Sequence, residues 1–207
     1  MNKTFEIERR FIDPEMVDFR AESEGMVVVG RPIIYEKETI LFPGVAEIIH
    51  RGAATEALSL NEAYLLWQHD QRQPMASYRN GTLSHIEDEE GVQITADCSK
   101  TQWGRDGFEA VRNGIITKMS FAFRALKVEW EERKNPDGSI LDVRHIVKFE
   151  HIFDFSPVTF PAYNDTEIVK RALDHSRSLI TVEVPLAFNP YAAAARNRRL
   201  RLSGYQL

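Results

Sequence analysis

A serine hydroxyl is a poor nucleophile at neutral pH unless a base, usually histidine, lies within hydrogen-bond reach and is itself oriented by a third group. The chain offers six histidines for such work, and Ser120, His69 and Asp154 each stand on or beside a strand-like segment. No Gly-x-Ser-x-Gly elbow is present, so residue types and spacing leave the choice of base and acid open. A metal-assisted hydrolase drawing on His69, Asp70 and His85 is a different reading, without the H-E-x-x-H spacing that would support it. Cys98 is the only cysteine, which excludes an internal disulfide and a thiolate cluster within one chain. No basic neighbour is placed to activate its thiol, and it reads as a small core residue.

These candidates need rigid elements to hold them. The 207 residues suffice for one domain with a core of its own, and 43% hydrophobic with 28% charged residues is ordinary for a globular protein. A net charge of -5 argues against nucleic acid as the main ligand, because that binding depends on neutralising phosphates. The acidic run Glu87, Asp88, Glu89, Glu90 and the basic group Arg196, Arg198, Arg199, Arg201 both read as solvated surface. No apolar run approaches the ~20 residues of a membrane-spanning helix. Residues 1–8 lack the apolar stretch of a secretory signal, so a soluble protein of a reducing, intracellular compartment is expected.

Short apolar runs alternating with period two recur between turn signals, at 26–30, 33–35 and 45–49, the pattern of a β-rich domain. Residues 63–69 read as a strand ending at His69, and 82–86 with 92–96 as a hairpin across an acidic turn. Asp106 and Glu109 form a capping-box spacing that predicts a helix from Asp106 to Asn113, stopped by Gly114. Strands at 115–130 and 141–155 flank the turn Asn135-Pro136-Asp137-Gly138 and should pair. Alternation puts Met119, Phe121 and Phe123 in the core and turns Ser120, Ala122 and Arg124 outward, Ser120 toward a surface groove. The same parity sends Phe149, Phe153 and Phe155 inward with His151, and Glu150, Ile152 and Asp154 outward. Asn164 and Glu167 suggest a cap ahead of a helix whose apolar face is Ile168, Val169, Ala172 and Leu173. A further strand is expected over 176–185, and 191–207 reads as a poorly ordered tail.

Seven motifs in order carry more than any residue alone. They are Gly30 with 33–35; Glu47-Ile48-Ile49-His50-Arg51-Gly52-Ala53; Leu65-Leu66-Trp67-Gln68-His69-Asp70; Gly81-Thr82-Leu83; Thr101-Gln102-Trp103-Gly104-Arg105-Asp106; Lys118-Met119-Ser120-Phe121-Ala122-Phe123; and Phe153-Asp154-Phe155-Ser156-Pro157-Val158-Thr159-Phe160-Pro161-Ala162. Over about residues 26–172 the chain resembles the prohead serine proteases of tailed bacteriophages, relatives of the herpesvirus assemblins. The resemblance implies His69 as general base, Ser120 as nucleophile and Asp154 as the acid that orients His69. Asp154 stands where glutamate is commoner, and a second histidine fills that role in the herpesvirus enzymes, which keeps His151 as an alternative. Gln68 and Ala122 depart from an asparagine and a glycine that are frequent in the family.

The resemblance further implies a β-rich (α+β) fold, a small closed or partly open β-barrel with a few short flanking helices. Its domain would span residues 25–175, between an N-terminal extension (1–24) and a C-terminal extension with the basic tail (176–207). The implied task is cleavage of the scaffold or delta domain and of capsid proteins, with self-cleavage, inside the assembling procapsid in the bacterial host. The major capsid protein and scaffold are the expected partners, the herpesvirus dimers make homo-oligomerisation an option, and no cofactor, metal, nucleic acid or membrane is required. Backbone N–H groups after the 159–163 turn are the expected oxyanion donors. The alternative is a non-catalytic capsid-assembly module on the same barrel.

Overall fold

A computed structural model describes residues 7–12, 19–160 and 166–180. The chain divides into two compact units, Met1–Lys170 and Arg171–Leu207, and the first holds every strand among the described residues. In order these are β1 (Glu8–Ile12), β2 (Arg20–Ala21), β3 (Val27–Ile34), β4 (Thr39–Phe42) and β5 (Val45–Ile49), then helix α1 (Thr55–Leu60). There follow β6 (Tyr64–Leu66), a 3-10 turn (Trp67–His69), β7 (Pro74–Ser77), β8 (Leu83–Glu87) and β9 (Gly91–Asp97). Helix α2 (Gln102–Arg112), β10 (Lys118–Lys134), β11 (Ile140–Val158) and helix α3 (Thr166–Ile180) complete the series. Among the described residues no helix is long and apolar enough to cross a membrane.

The β-rich α+β expectation is met, but the barrel is not. One sheet has seven strands, running β1-β10-β11-β5-β4 with β6 and β7 attached to β11; the other has four, β2-β3-β9-β8. The reason lies in β11, whose two ends pair in parallel with different strands. Residues 142–146 pair with β5, and Asp154 and Phe155 pair with Tyr64 and Leu65 of β6. The large sheet therefore branches, and among the described residues β4 and β7 gain no second partner that would close it. Side chains from both sheets share one core, including Val28, Ile33, Val92 and Ile94 from the smaller sheet and Phe121, Phe123, Phe149 and Phe155 from the larger.

The long β10–β11 hairpin forms as predicted, with a register that the alternation rule alone does not supply. Lys134 pairs with Ile140 next to the turn, and that spacing continued unchanged would put Asp154 opposite Ser120. Register irregularities between Ala122 and Val128 let β11 take up two more residues than β10, so Ser120 faces Ser156 and Ala122 faces Asp154. The extra residue Phe153 sits between the Phe123–Ile152 and Ala122–Asp154 pairs. Three expectations are corrected by this. Ile152 is a core residue and Phe153 is only partly buried. His151 leaves the core face to pair with Arg124, and its ring stacks on Phe153 at 4.2 Å between centroids.

Helix α2 also differs in where it starts. Thr101 caps it, accepting the Gly104 N–H at 2.8 Å, so Asp106 lies within the helix rather than at its N-cap. The expected stop is present, with Gly114 in the left-handed region at φ 69°. Helix α3 runs to Ile180 and so replaces the first part of the strand expected over 176–185. Val169 and Leu173 are buried at the predicted i, i+4 spacing. Asn164 and the basic tail lie outside the described residues.

Strand β1 is fastened beside β10 by a buried charge quartet. Arg10 donates to Glu47 from Nε at 2.6 Å and Nη2 at 2.8 Å, and to Glu8 at 2.8 Å. Arg144 donates to Glu8 from Nη1 at 2.5 Å and to Glu47 at 2.9 Å. Burial opposes ionisation of Glu8, but Arg144 and Arg10 outweigh it and hold the carboxyl below its ordinary value of 4.5. Removing one charge from such a cluster leaves buried partners uncompensated, so Glu47→Gln should cost about 3–5 kcal/mol, read as a lower denaturant midpoint at unchanged slope. A loss under about 1 kcal/mol would show that the quartet is dispensable. Because the Glu8 value is depressed, its stabilisation is complete above about 4.5 and is lost as pH falls through the lower folded value. Glu8→Gln should accordingly flatten the stability–pH curve below about pH 4.5.

Candidate active site

Ser120, His69 and Asp154 come together in the first unit although 51 and 85 residues separate His69 from its two partners. β10 supplies Ser120, β11 supplies Asp154, and the turn after β6 supplies His69. Because β6 pairs with β11 at Asp154 itself, the chain leaving β6 emerges beside the carboxylate.

The turn is unusual in its backbone. Gln68 (φ 56°) and His69 (φ 60°) are consecutive non-glycine residues in the left-handed region, each at a cost of roughly 1–3 kcal/mol. Neighbouring bonds hold them there. Trp67 N–H donates to Gln73 O at 3.1 Å, Asp70 N–H to Trp67 O at 2.9 Å, and Gln73 N–H to Asp70 O at 2.9 Å. The Gln68 amide clips the turn to the end of β11, donating from Nε2 to Thr159 Oγ1 at 2.8 Å and accepting the Thr159 N–H at 3.1 Å. Behind the turn, α2 comes close because Gly107 has no side chain; a Cβ there would lie 2.4 Å from Met75 Cε and 3.1 Å from Trp67 Cε3.

His69 Nε2 lies 2.8 Å from Ser120 Oγ, and His69 Nδ1 lies 2.6 Å from Asp154 Oδ1. An ionised carboxylate only accepts, so Nδ1 carries the proton and the Nε2 lone pair accepts the Ser120 O–H. Ser120 is on the face opposite the phenylalanine core, as alternation requires, but it is fully buried beneath the imidazole and not open to a groove. Asp154 is 6% exposed.

Two side chains that the sequence reading quoted without giving a role also belong here. Gln68 forms the clip just described. Ser156 is fully buried, accepts the His69 N–H at 3.2 Å and donates to Asp154 Oδ1 at 2.6 Å. Its two-residue spacing from Asp154 puts both on one strand face, the signal that was available in the sequence.

The other candidates lie elsewhere. His151 stacks on Phe153 and forms no part of the Ser–His–Asp chain. Asp70 is held by Arg72, and His85 packs against Tyr78 with ring centroids 5.3 Å apart. Among the described residues no group of three His, Cys, Asp or Glu side chains is arranged to hold a metal ion. Cys98 is fully buried, and burial pushes its thiol up to about 12. The Thr159 N–H is taken by Gln68, and residues 161–165, which include the end of the turn after which oxyanion donors were expected, lie outside the described ones.

A hydrogen-bonded Ser–His–carboxylate series is the arrangement found in serine hydrolases on many unrelated folds. The family model for caudovirus prohead serine proteases matches residues 15–178, and the chain belongs to that family. Comparisons with curated proteins and with solved structures return no match. Membership in a prohead serine protease family associates the chain with capsid maturation.

The left-handed turn can be checked by substitution. Gln68→Ala and Gln68→Gly both lose the amide clip, but glycine adopts φ near 56° without strain, so Gln68→Gly should be the more stable by about 1 kcal/mol. Equal denaturation midpoints for the two variants would contradict the backbone conformation of the turn.

Proposed function

We propose that the chain is a serine endopeptidase of procapsid maturation, with Ser120 as nucleophile, His69 as general base and Asp154 as the carboxylate that orients His69. The observation that carries this reading is the continuous series Ser120 Oγ, His69 Nε2, His69 Nδ1 and Asp154 Oδ1, with links of 2.8 and 2.6 Å. His69 Nε2 takes the Ser120 proton as Oγ attacks a peptide carbonyl, giving a tetrahedral adduct and an imidazolium. Asp154 fixes the Nδ1–H tautomer and stabilises that imidazolium. The imidazolium then protonates the leaving amine, and water, deprotonated by the same imidazole, releases the acyl group and restores Ser120. The scheme calls on no metal or cofactor.

Family membership supports the biological setting, the interior of the assembling procapsid in the host cell. The substrates in this reading are the scaffold or delta domain and the major capsid protein, followed by the protease itself.

Co-expression with the cognate major capsid protein, followed by intact-mass measurement of both chains, tests the assignment. Discrete truncations should appear with the wild type and vanish with Ser120→Ala and His69→Ala. Asp154→Asn should retain folding but lose roughly 10³–10⁴-fold in rate, through the wrong tautomer of the base. Fragments identical in wild type and Ser120→Ala would remove Ser120 as nucleophile. Assembly of both proteins without any cleavage would favour a non-catalytic assembly module.

A further inference from the structure

We infer that Ser156 is a positioning residue for the base: its hydroxyl joins the His69 backbone and the Asp154 carboxylate into one frame opposite the nucleophile. This rests on the roles proposed above for Ser120, His69 and Asp154.

A serine hydroxyl has one proton to donate and lone pairs to accept with. The backbone N–H of His69 can only donate, and it points at Ser156 Oγ from 3.2 Å. The ionised carboxylate can only accept, and its Oδ1 lies 2.6 Å from the same Oγ. The rotor of Ser156 is therefore set in one direction, from His69 N–H through Oγ to Asp154. Oδ1 also receives the His69 Nδ1 proton at 2.6 Å, so both the backbone and the ring of His69 end on this two-residue anchor.

The anchor matters because nothing in the local backbone preference keeps His69 where it is. At φ 60° the residue persists only where its surroundings over-determine it, and the Ser156 bond to its N–H adds to the bonds that close the turn. The holding group is in a rigid place. Ser156 is fully buried and pairs directly with Ser120 across the β10–β11 ladder. One cross-strand pair and one hydroxyl thus link the strand position of Ser120 directly to the backbone of His69. Two donors converging on Oδ1 likewise keep that oxygen, and not Oδ2, aimed at the imidazole.

The test uses the purified full chain and a fluorophosphonate probe, which forms an Oγ–P bond at an activated serine as fluoride leaves and the proton passes to the base. Intact mass gives the labelling rate and the final labelled fraction, and peptide mapping gives the site. Ser156→Ala should label at Ser120 at least tenfold more slowly than wild type, and Ser156→Thr, which keeps the hydroxyl, should return to within threefold. A purely structural serine would lower the labelled fraction and leave the rate of the folded molecules unchanged. If Ser156→Ala does not fold, the near-isosteric Ser156→Cys, a weak donor, takes its place with the same tenfold expectation. A rate less than tenfold below wild type in the folded variant overturns the inference, as does Ser156→Thr remaining as slow as that variant. Failure of the underlying reading looks different: wild type would not label at Ser120, or His69→Ala would label as fast as wild type.

Discussion

Along the β10–β11 ladder every hydrogen bond fixes which residue of one strand meets which residue of the other, and the site inherits its geometry from that register. The extra length that β11 takes up near the site amounts to two residues. An even number preserves the side-chain alternation, so Ser120, Asp154 and Ser156 remain on one face. A net slip of one would have sent Asp154 and Ser156 into the phenylalanine core and removed any acceptor for the imidazole. The irregularities also set the spacing along the strand, placing Ser156 across from Ser120 and the carboxylate one step further along, opposite Ala122.

His69 reaches this face by a different physical route. The short strand β6 pairs with β11 at Asp154, and the turn that follows is forced through two left-handed residues. Such a turn persists only when its surroundings over-determine it. Here the Gln68 clip to Thr159, the backbone bonds closing 67–73 and the Ser156 hydroxyl do so together. On the other side of Ser120, Phe11 of β1 is its register partner, and the Glu8–Arg10–Glu47–Arg144 quartet holds that strand in place. Ser120 is therefore in the middle of three paired strands, in a position that allows little drift.

The buried carboxylates of the quartet and the buried Asp154 differ in their partners. The quartet balances two buried acids with two buried bases and has its effect on which strand lies beside β10. Asp154 is instead buried against a histidine and a serine, groups that bond to it without permanently neutralising it. That environment suits the role proposed for Asp154, stabilising a positive charge that forms only during the reaction.

Composition and patterning determined a β-rich domain, because period-two runs between turn residues have no other economical packing, and the turn at Asn135–Gly138 announced the hairpin. The ordered motifs singled out Ser120, His69 and Asp154, since short strings around such groups remain readable wherever the chain folds them. Tertiary structure alone decided the rest. The branching of β11 between β5 and β6 within the large sheet depends on pairings between segments about a hundred residues apart. The bulge that exchanged Ile152 for Phe153 in the core and turned His151 away from it is a choice made by the partner strand, not by either strand's own pattern. Helix α2 begins after Thr101 because that hydroxyl caps the Gly104 amide, which puts Asp106 inside the helix. The bonds of Ser156 were invisible for the same reason: a serine in a strand is ordinary until the fold sets a backbone N–H on one side of it and a buried carboxylate on the other.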